Sequence, residues 1–253
     1  MTRMETALVT GATGAIGEAI ARGLAQRGLR VVLAARSPKS ARAVAERIGG
    51  DVSVEDVELG SAASISALRQ RWRGPLDVLV NDAAIAPRKK ELTEEGLERQ
   101  FAVNVLGYTR MLARFADVLA ESPRARVVNV ASYWAGDLRL DDLMFERRPY
   151  DNDTAYRQSK QANRMLTAAW AERLPNIAIN ACHPGDVRST LSLSLGFGGH
   201  ETPEQGAATP LWLALEAPRV TGKYFARCRE ESCRFARDRS AVEALYEICQ
   251  RFD

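Results

Sequence analysis

The chain has little of what metal sites, disulfide scaffolds and membrane segments require. It contains two histidines and four cysteines, and no Cys-x-x-Cys pair or histidine cluster provides zinc-ligand spacing. Its net charge is +3, and the basic residues do not form the stripe typical of a nucleic-acid binder. No run approaches the roughly 18 apolar residues of a membrane span. The composition therefore predicts no metal site and no nucleic-acid partner.

The N-terminal segment also lacks the apolar core of a signal peptide. Residues 1–6 read Met-Thr-Arg-Met-Glu-Thr, and an apolar run follows at once. We therefore expect a cytoplasmic protein with no membrane anchor. In a reducing compartment cysteines stay unpaired. The expected free thiols are Cys182, Cys228, Cys233 and Cys249.

What the chain does have is an alternation of short apolar runs with longer amphipathic segments. Apolar strands separated by helices are typical of a parallel sheet that is covered on both faces. The sequence predicts one α/β domain over residues 1–253, a doubly wound Rossmann-like sheet. The predicted strands are 7–10, 31–35, 52–59, 76–80, 126–131, 177–182 and 222–225, and the predicted helices are 15–27, 40–48, 61–72, 93–119, 154–174 and 203–215.

A glycine-rich turn joins the first predicted strand to the first predicted helix. Gly11, Gly14 and Gly17 follow a Gly-x-x-Gly-x-x-Gly spacing, which lets a backbone approach a pyrophosphate at a helix N-terminus. The second strand ends in Arg36 and Ser37, where an NAD(H) site has a carboxylate for the ribose. Because arginine pairs well with phosphate, NADP(H) is the expected cofactor.

Tyr156 and Lys160 are one helical turn apart, on one face of a predicted helix. A free phenol, with a pKa near 10, is a poor proton donor at neutral pH. A lysine ammonium beside it lowers that pKa. Ser132, at the carboxyl end of a predicted strand, is suited to hydrogen-bond a substrate oxygen. The pattern predicts proton transfer to or from a carbonyl or alcohol.

Together these motifs resemble the short-chain dehydrogenase/reductase family. Residues 143–150 and 161–163 resemble its retinol-dehydrogenase-like branch, as does the final strand 222–225. The resemblance implies that Tyr156 is the general acid/base and that Lys160 also holds the nicotinamide ribose. It further implies that Asn104 supports a water relay to Lys160.

The same resemblance implies where the dinucleotide binds. Asp82 replaces an asparagine common in the family, and His183 is expected to be a structural loop residue. The expected cofactor contacts are Gly11, Thr13, Gly14, Ala15, Ile16, Gly17, Arg36, Ser37, Glu58, Leu59, Asn81, Ala83, Ala84, Tyr156, Lys160, Pro184, Gly185, Val187 and Ser189.

The expected function is therefore that of an NADPH-dependent oxidoreductase acting on a small carbonyl or alcohol substrate. Segments 138–153 and 190–203 are expected to border the substrate, and residues 192–200 within the second are expected to form a glycine-hinged lid. Helices around Leu106 and Met165 are candidates for pairing in a homodimer or homotetramer. Two alternatives stay open: a non-catalytic NADPH-binding sensor with a protein partner, and an epimerase or dehydratase on the same scaffold.

Overall fold

The computed structural model describes residues 3–252. Its eight short strands pair side by side in one sheet. The order is β3-β2-β1-β4-β5-β6-β7-β8, and only the β7–β8 pairing is antiparallel. This confirms a doubly wound α/β fold with a parallel-dominated sheet. The strands are β1 (Thr6–Thr10), β2 (Arg30–Ala35), β3 (Val52–Asp56), β4 (Val78–Asn81), β5 (Arg126–Val130), β6 (Ala178–Cys182), β7 (Tyr224–Ala226) and β8 (Arg229–Glu231).

Helices cover both faces of this sheet, which explains why its central strands are mostly apolar. One face carries a core built around Leu8, Leu79 and Phe115, and the other a core around Ile20 and Leu33. The α-helices are α1 (Ala15–Gln26), α2 (Pro38–Ile48), α3 (Ala62–Arg71), α4 (Arg99–Phe101), α5 (Gly107–Ala120), α6 (Asn152–Arg173), α7 (Thr190–Ser194), α8 (Pro203–Leu215) and α9 (Arg239–Gln250). No helix within residues 3–252 is long and apolar enough to cross a membrane.

The prediction of one long helix over 93–119 is wrong: the helical structure begins later and is interrupted. Residues 93–98 form a turn in which the Thr93 N–H donates to the Leu97 carbonyl at 2.8 Å, with Gly96 at a φ of 76°. A positive φ stops a helix, so helical structure begins only after Glu98, whose carboxylate accepts two backbone N–H bonds. A π-helical segment, Ala102–Leu106, then separates α4 from α5.

The region beyond β7 holds elements that the sequence did not predict: β8, a 3₁₀ turn at Arg234–Arg237 and α9. Helix α9 follows an Asp238 cap and buries Val242, Leu245 and Cys249. Their spacing at i, i+3 and i+7 is an amphipathic signal that was present in the sequence. Strand β8 is charged and exposed, so no apolar pattern marks it. The predicted third strand is also too long, since β3 ends at Asp56.

Candidate active site

The loops that follow β1 to β6 line a cavity of about 640 Å³. This is the carboxyl edge of the parallel strands, where doubly wound folds bind ligands. Most of the expected cofactor residues line it: Gly11, Thr13, Gly14, Ala15, Ile16, Arg36, Ser37, Glu58, Leu59, Ala83, Ala84, Tyr156, Lys160, Pro184 and Ser189.

Four expected cofactor residues lie outside that lining. Gly17 packs beneath the glycine turn. Asn81 is fully buried and its Nδ2 donates to Asn129 Oδ1 at 2.9 Å, which ties β4 to β5. Gly185 and Val187 line a second cavity of about 50 Å³, whose lining also includes Ser132 and Tyr156.

The glycine turn requires glycine because backbones meet there. Gly11 has a φ of 76°, and a Cβ on it would lie 2.6 Å from the Ala83 nitrogen. A Cβ on Gly17 would lie 2.3 Å from the Gly11 carbonyl oxygen. The Thr10 hydroxyl accepts the Ala83 N–H at 3.3 Å and so joins the turn to the end of β4. These contacts fix the first turn of α1 against the end of β4.

Helix α1 presents its N-terminus to the large cavity. Its capping residue, Gly14, makes no side-chain hydrogen bond to the first turn, and Ala15 and Ile16 line the cavity. The Gly17 N–H donates to the Asp82 carboxylate, and the remaining first-turn N–H groups together with the helix dipole form an anion site. The cavity volume also lies within the range of cofactor pockets. The residues present therefore fit a dinucleotide with its pyrophosphate at α1.

One end of this cavity is polar and exposed. The Arg36 guanidinium lies 3.8 Å from the Glu58 carboxylate, with the two side chains 63% and 40% exposed. Glu58 also accepts the Gly60 N–H at 3.0 Å, and Ser37 caps α2. Since exposed ion pairs contribute little free energy, Arg36 is free to exchange Glu58 for a phosphate.

The other end brings Tyr156, Lys160 and Ser132 together, all buried. The Lys160 Nζ donates to the Val130 carbonyl at 2.8 Å and lies 5.6 Å from the centre of the Tyr156 ring. Ser132 follows β5, and its Oγ accepts the Trp134 N–H at 3.1 Å. The end of β5 and one face of α6 thus bring a hydroxyl, a phenol and an ammonium together: Tyr156 lines both cavities, Lys160 lines the large one and Ser132 lines the second.

Burial and charge set the proton affinities of this group. Burial raises the pKa of Tyr156 to about 12, although a hydrogen bond with Ser132 opposes the rise. The lowering of this pKa that was expected from Lys160 is therefore wrong for the protein without bound dinucleotide, because burial of the phenol dominates. Burial lowers the pKa of Lys160, and the Asp82 carboxylate opposes that fall. Burial also raises the pKa of Asp82, against the effects of Lys160 and the Gly17 N–H. Because the Asp82 and Lys160 charges support each other, their titrations are linked.

Asn104 lies in the π-helical segment and is fully buried. Its amide exchanges hydrogen bonds with the Ile85 backbone, at 2.9 Å to the N–H and 3.0 Å to the carbonyl. Its Nδ2 also donates to the Ser159 Oγ at 3.2 Å. Asn104 therefore ties a wall residue of the cavity to α6 beside Lys160. Single π turns recur at functional sites.

The other regions singled out from the sequence contribute unequally. Within residues 3–252, segment 138–153 supplies no lining residue; the Tyr150 hydroxyl donates to the Pro87 carbonyl behind the wall at 2.9 Å. Segment 190–203 supplies Thr190, Leu191 and Ser194 to the large cavity. The His183 Nδ1 accepts the Gly185 N–H at 2.9 Å and so holds its loop.

Several lining residues were not singled out from the sequence as contacts. Most follow β4 or belong to the region where the long helix was wrongly predicted, so no strand-end motif marks them. Asp82 was noted only as a departure from the family pattern, although its carboxylate interacts with Lys160. The other such residues include Ile85, Ala86, Pro87, Glu91, Arg99 and Val103.

Comparison with known proteins agrees with this geometry. The family model for short chain dehydrogenases matches residues 5–195. This chain belongs to the short-chain dehydrogenase/reductase family. It is 31% identical to human retinol dehydrogenase 14, with 97% of this chain and 85% of that protein covered. This confirms the retinol-dehydrogenase-like branch.

Solved structures resemble this dehydrogenase over most of its length. An uncharacterized protein from Mycobacterium paratuberculosis superposes with a TM-score of 0.82 at 28% identity, covering 98% of this chain and 92% of that one. An actinorhodin polyketide ketoreductase crystallised with NADPH gives 0.71 at 25% identity, over 89% and 97%. The chain is thus a hydride-transfer oxidoreductase with an NAD(P)-type cofactor.

Proposed function

We propose that this short-chain dehydrogenase interconverts a carbonyl compound and its alcohol with NADP(H). The observation that carries the proposal is that Tyr156 and Lys160 line the same cavity as the glycine turn and Arg36. Proton-transfer groups and a dinucleotide cradle therefore share one chamber. A protein that only sensed the dinucleotide would not need the buried phenol and ammonium.

The chain's own residues carry the proton chemistry. A bound reduced nicotinamide supplies the hydride. Tyr156 donates its proton to the substrate oxygen, and Ser132 donates a hydrogen bond to the same oxygen as negative charge develops on it. The Lys160 ammonium stabilises the phenolate that Tyr156 leaves, and it holds the nicotinamide ribose. In the reverse direction Tyr156 accepts the alcohol proton.

Asn104 acts on this group through the wall of the cavity. Its hydrogen bonds to Ile85 and Ser159 keep the loop after β4 aligned with α6. In the family-like role it also supports a water relay that returns a proton to Lys160. We assign it a positioning role, since its side chain bonds to wall residues.

Arg36 and Ser37 are the basis for NADP(H) over NAD(H). A 2′-phosphate replaces Glu58 as the partner of Arg36 and gains a charge-assisted hydrogen bond. The other contacts follow the cavity: the glycine turn, Gly11 to Gly17, holds the pyrophosphate. Glu58 and Leu59 would border the adenosine, and Asn81, Ala83 and Ala84 would support the floor of the site. Pro184, Gly185, Val187 and Ser189 would contact the nicotinamide.

The test uses the purified protein with NADPH and NADH in parallel against a panel of aldehydes and ketones. Loss of reduced-nicotinamide absorbance reports turnover, and fluorescence titration reports dinucleotide binding. The proposal expects turnover of at least one carbonyl, with NADPH bound more tightly than NADH. Dinucleotide binding without turnover of any carbonyl or alcohol contradicts the reaction, and equal affinities contradict the cofactor choice.

A further inference from the structure

The second cavity adjoins the reacting groups and has aromatic side chains in its wall. Its lining includes Ser132 and Tyr156 together with Tyr133, Trp134 and Phe197. Its volume is about 50 Å³, whereas a benzene molecule occupies an apolar cavity of roughly 150 Å³. A substrate larger than a few atoms must therefore displace part of this wall.

Two aromatic rings form the part of the wall that can give way. The Trp134 and Phe197 rings meet edge to face, with centroids 4.6 Å apart and planes at 65°. Both side chains are half-buried. Within residues 3–252 neither belongs to a hydrophobic core cluster. Their contact thus closes the pocket and does not support the fold.

The two rings stand on backbone of different conformational freedom. The Trp134 backbone N–H donates to Ser132 Oγ at 3.1 Å, and the neighbouring Tyr133 hydroxyl donates to Asp186 Oδ1 at 2.8 Å. The Phe197 backbone N–H donates to the Ser192 carbonyl at 3.0 Å, but its loop contains Gly196 and Gly199, whose φ angles are 85° and 70°. Because glycine permits large changes of backbone conformation, we expect Phe197 and not Trp134 to move.

The charge of this pocket restricts what enters. Within the described residues, Asp186 is the one charged side chain among its lining residues, which include no lysine, arginine or histidine. The Asp186 carboxylate accepts the Tyr133 hydroxyl, and its negative charge contributes negative potential to the pocket. An anionic substrate meets repulsion here and finds no cation to compensate it.

We propose that Trp134 and Phe197 form an aromatic subsite that selects uncharged aryl aldehydes or aryl ketones. The substrate ring replaces Phe197 against Trp134 and places its carbonyl oxygen at Ser132 and Tyr156. The exchange conserves an edge-to-face aromatic contact, while the glycine-flanked loop absorbs the movement of Phe197. The inference rests on the proposed function for its carbonyl chemistry, on the two rings for its preference for aryl groups, and on Asp186 for its preference for uncharged ones.

Binding is measured first, without turnover. In the presence of NADP⁺, fluorine NMR follows para-fluorobenzamide, a neutral aryl amide that the enzyme cannot reduce, and para-fluorobenzoate, its anionic counterpart. We expect the amide to bind and the carboxylate to bind at least tenfold more weakly. Trp134→Ala should weaken binding of the amide by about tenfold, because one aromatic contact and its buried area are lost. Equal binding to wild type and Trp134→Ala contradicts the subsite.

Turnover then tests the movable ring. Phe197→Ala should raise kcat/KM for a naphthyl ketone relative to a phenyl ketone by about tenfold, the range expected when a hydrophobic pocket is enlarged. Leu92→Ala is the control, because Leu92 is a large hydrophobic residue that is 59% exposed and lines neither cavity. An unchanged ratio in Phe197→Ala overturns the proposed gate.

The two proposals fail in different ways. Trp134-dependent amide binding with no turnover of any carbonyl leaves the subsite standing and removes the reductase function. Turnover of carbonyls with no effect of Trp134→Ala or Phe197→Ala leaves the reductase standing and removes the subsite.

Discussion

The two ends of the large cavity are built on different principles. At the adenosine end, Arg36 and Glu58 are exposed and 3.8 Å apart, so water screens them and each can change partner. At the reaction end, Lys160 is 2% exposed, and its charge depends on Asp82. Changes at the exposed end should therefore act one at a time, while changes at the buried end should propagate to neighbouring groups.

The largest effect is expected at the buried end, from Lys160→Met. Loss of the ammonium leaves Tyr156 with its burial-raised pKa and without a charge to stabilise the phenolate. We expect kcat to fall by roughly 10² to 10⁴, the usual contribution of general acid–base catalysis. Steady-state kinetics measures it, with Lys39→Met, exposed on α2, as the control. A wild-type kcat in the Lys160→Met enzyme would show that Lys160 takes no part in catalysis.

Gly17→Ala tests the turn between the two ends. A methyl group there would lie 2.3 Å from the Gly11 carbonyl oxygen, so the backbone must shift. We expect a loss of about 1–3 kcal/mol in the free energy of unfolding and weaker dinucleotide binding, measured by denaturant titration and fluorescence. Gly23→Ala, on the same helix, meets only the Leu211 side chain and should leave dinucleotide affinity unchanged. Similar losses of dinucleotide affinity in both variants would contradict the role of the turn.

Arg36→Ala tests the exposed end. Removing one charge-assisted contact to a 2′-phosphate should weaken NADPH binding by about tenfold and leave NADH binding almost unchanged. Fluorescence titration measures both affinities. Arg42→Ala, an exposed arginine on α2 outside the cavity, is the control. Equal weakening of both dinucleotides by Arg36→Ala would show that Arg36 does not distinguish them.

The smallest and most specific effect concerns Asp82→Asn, which keeps an oxygen for the Gly17 N–H and removes the charge. The Asp82 carboxylate raises the pKa values of Lys160 and Tyr156. Without it, both groups lose their protons at lower pH. The basic limb of the pH profile for carbonyl reduction should therefore move down by about half to one pH unit. A uniform loss of kcat at every pH would indicate only a structural role.

Local patterns allowed most of the sheet and the glycine turn to be predicted. A buried parallel strand is mostly apolar and carries few charges, as β1 and β6 show, and the three turn glycines lie within seven residues of one another in sequence. Strand β8 could not be predicted in this way, because it is three charged residues that pair only with β7. Its position depends on the hairpin.

The interactions within the site were harder to predict than its members. Tyr156, Lys160 and Ser132 were chosen from motifs, but Asp82 lies far from Lys160 in the sequence and no spacing rule links them. Asn104 was expected to act towards Lys160, and in the structure it bonds to Ile85 and Ser159. Met165, considered for a subunit interface, is 2% exposed in the same core cluster as α9 residues. Tertiary packing decides each of these contacts.

The most direct test of the account is Tyr156→Phe, which removes one hydroxyl from a buried ring and leaves the dinucleotide cradle intact. Dissociation constants for NADPH and kcat for the best carbonyl substrate are measured on the same preparations of wild type and variant. The account predicts an NADPH dissociation constant within about twofold of wild type and a kcat lower by roughly 10² to 10⁴. A variant that turns over the carbonyl at the wild-type rate would contradict it.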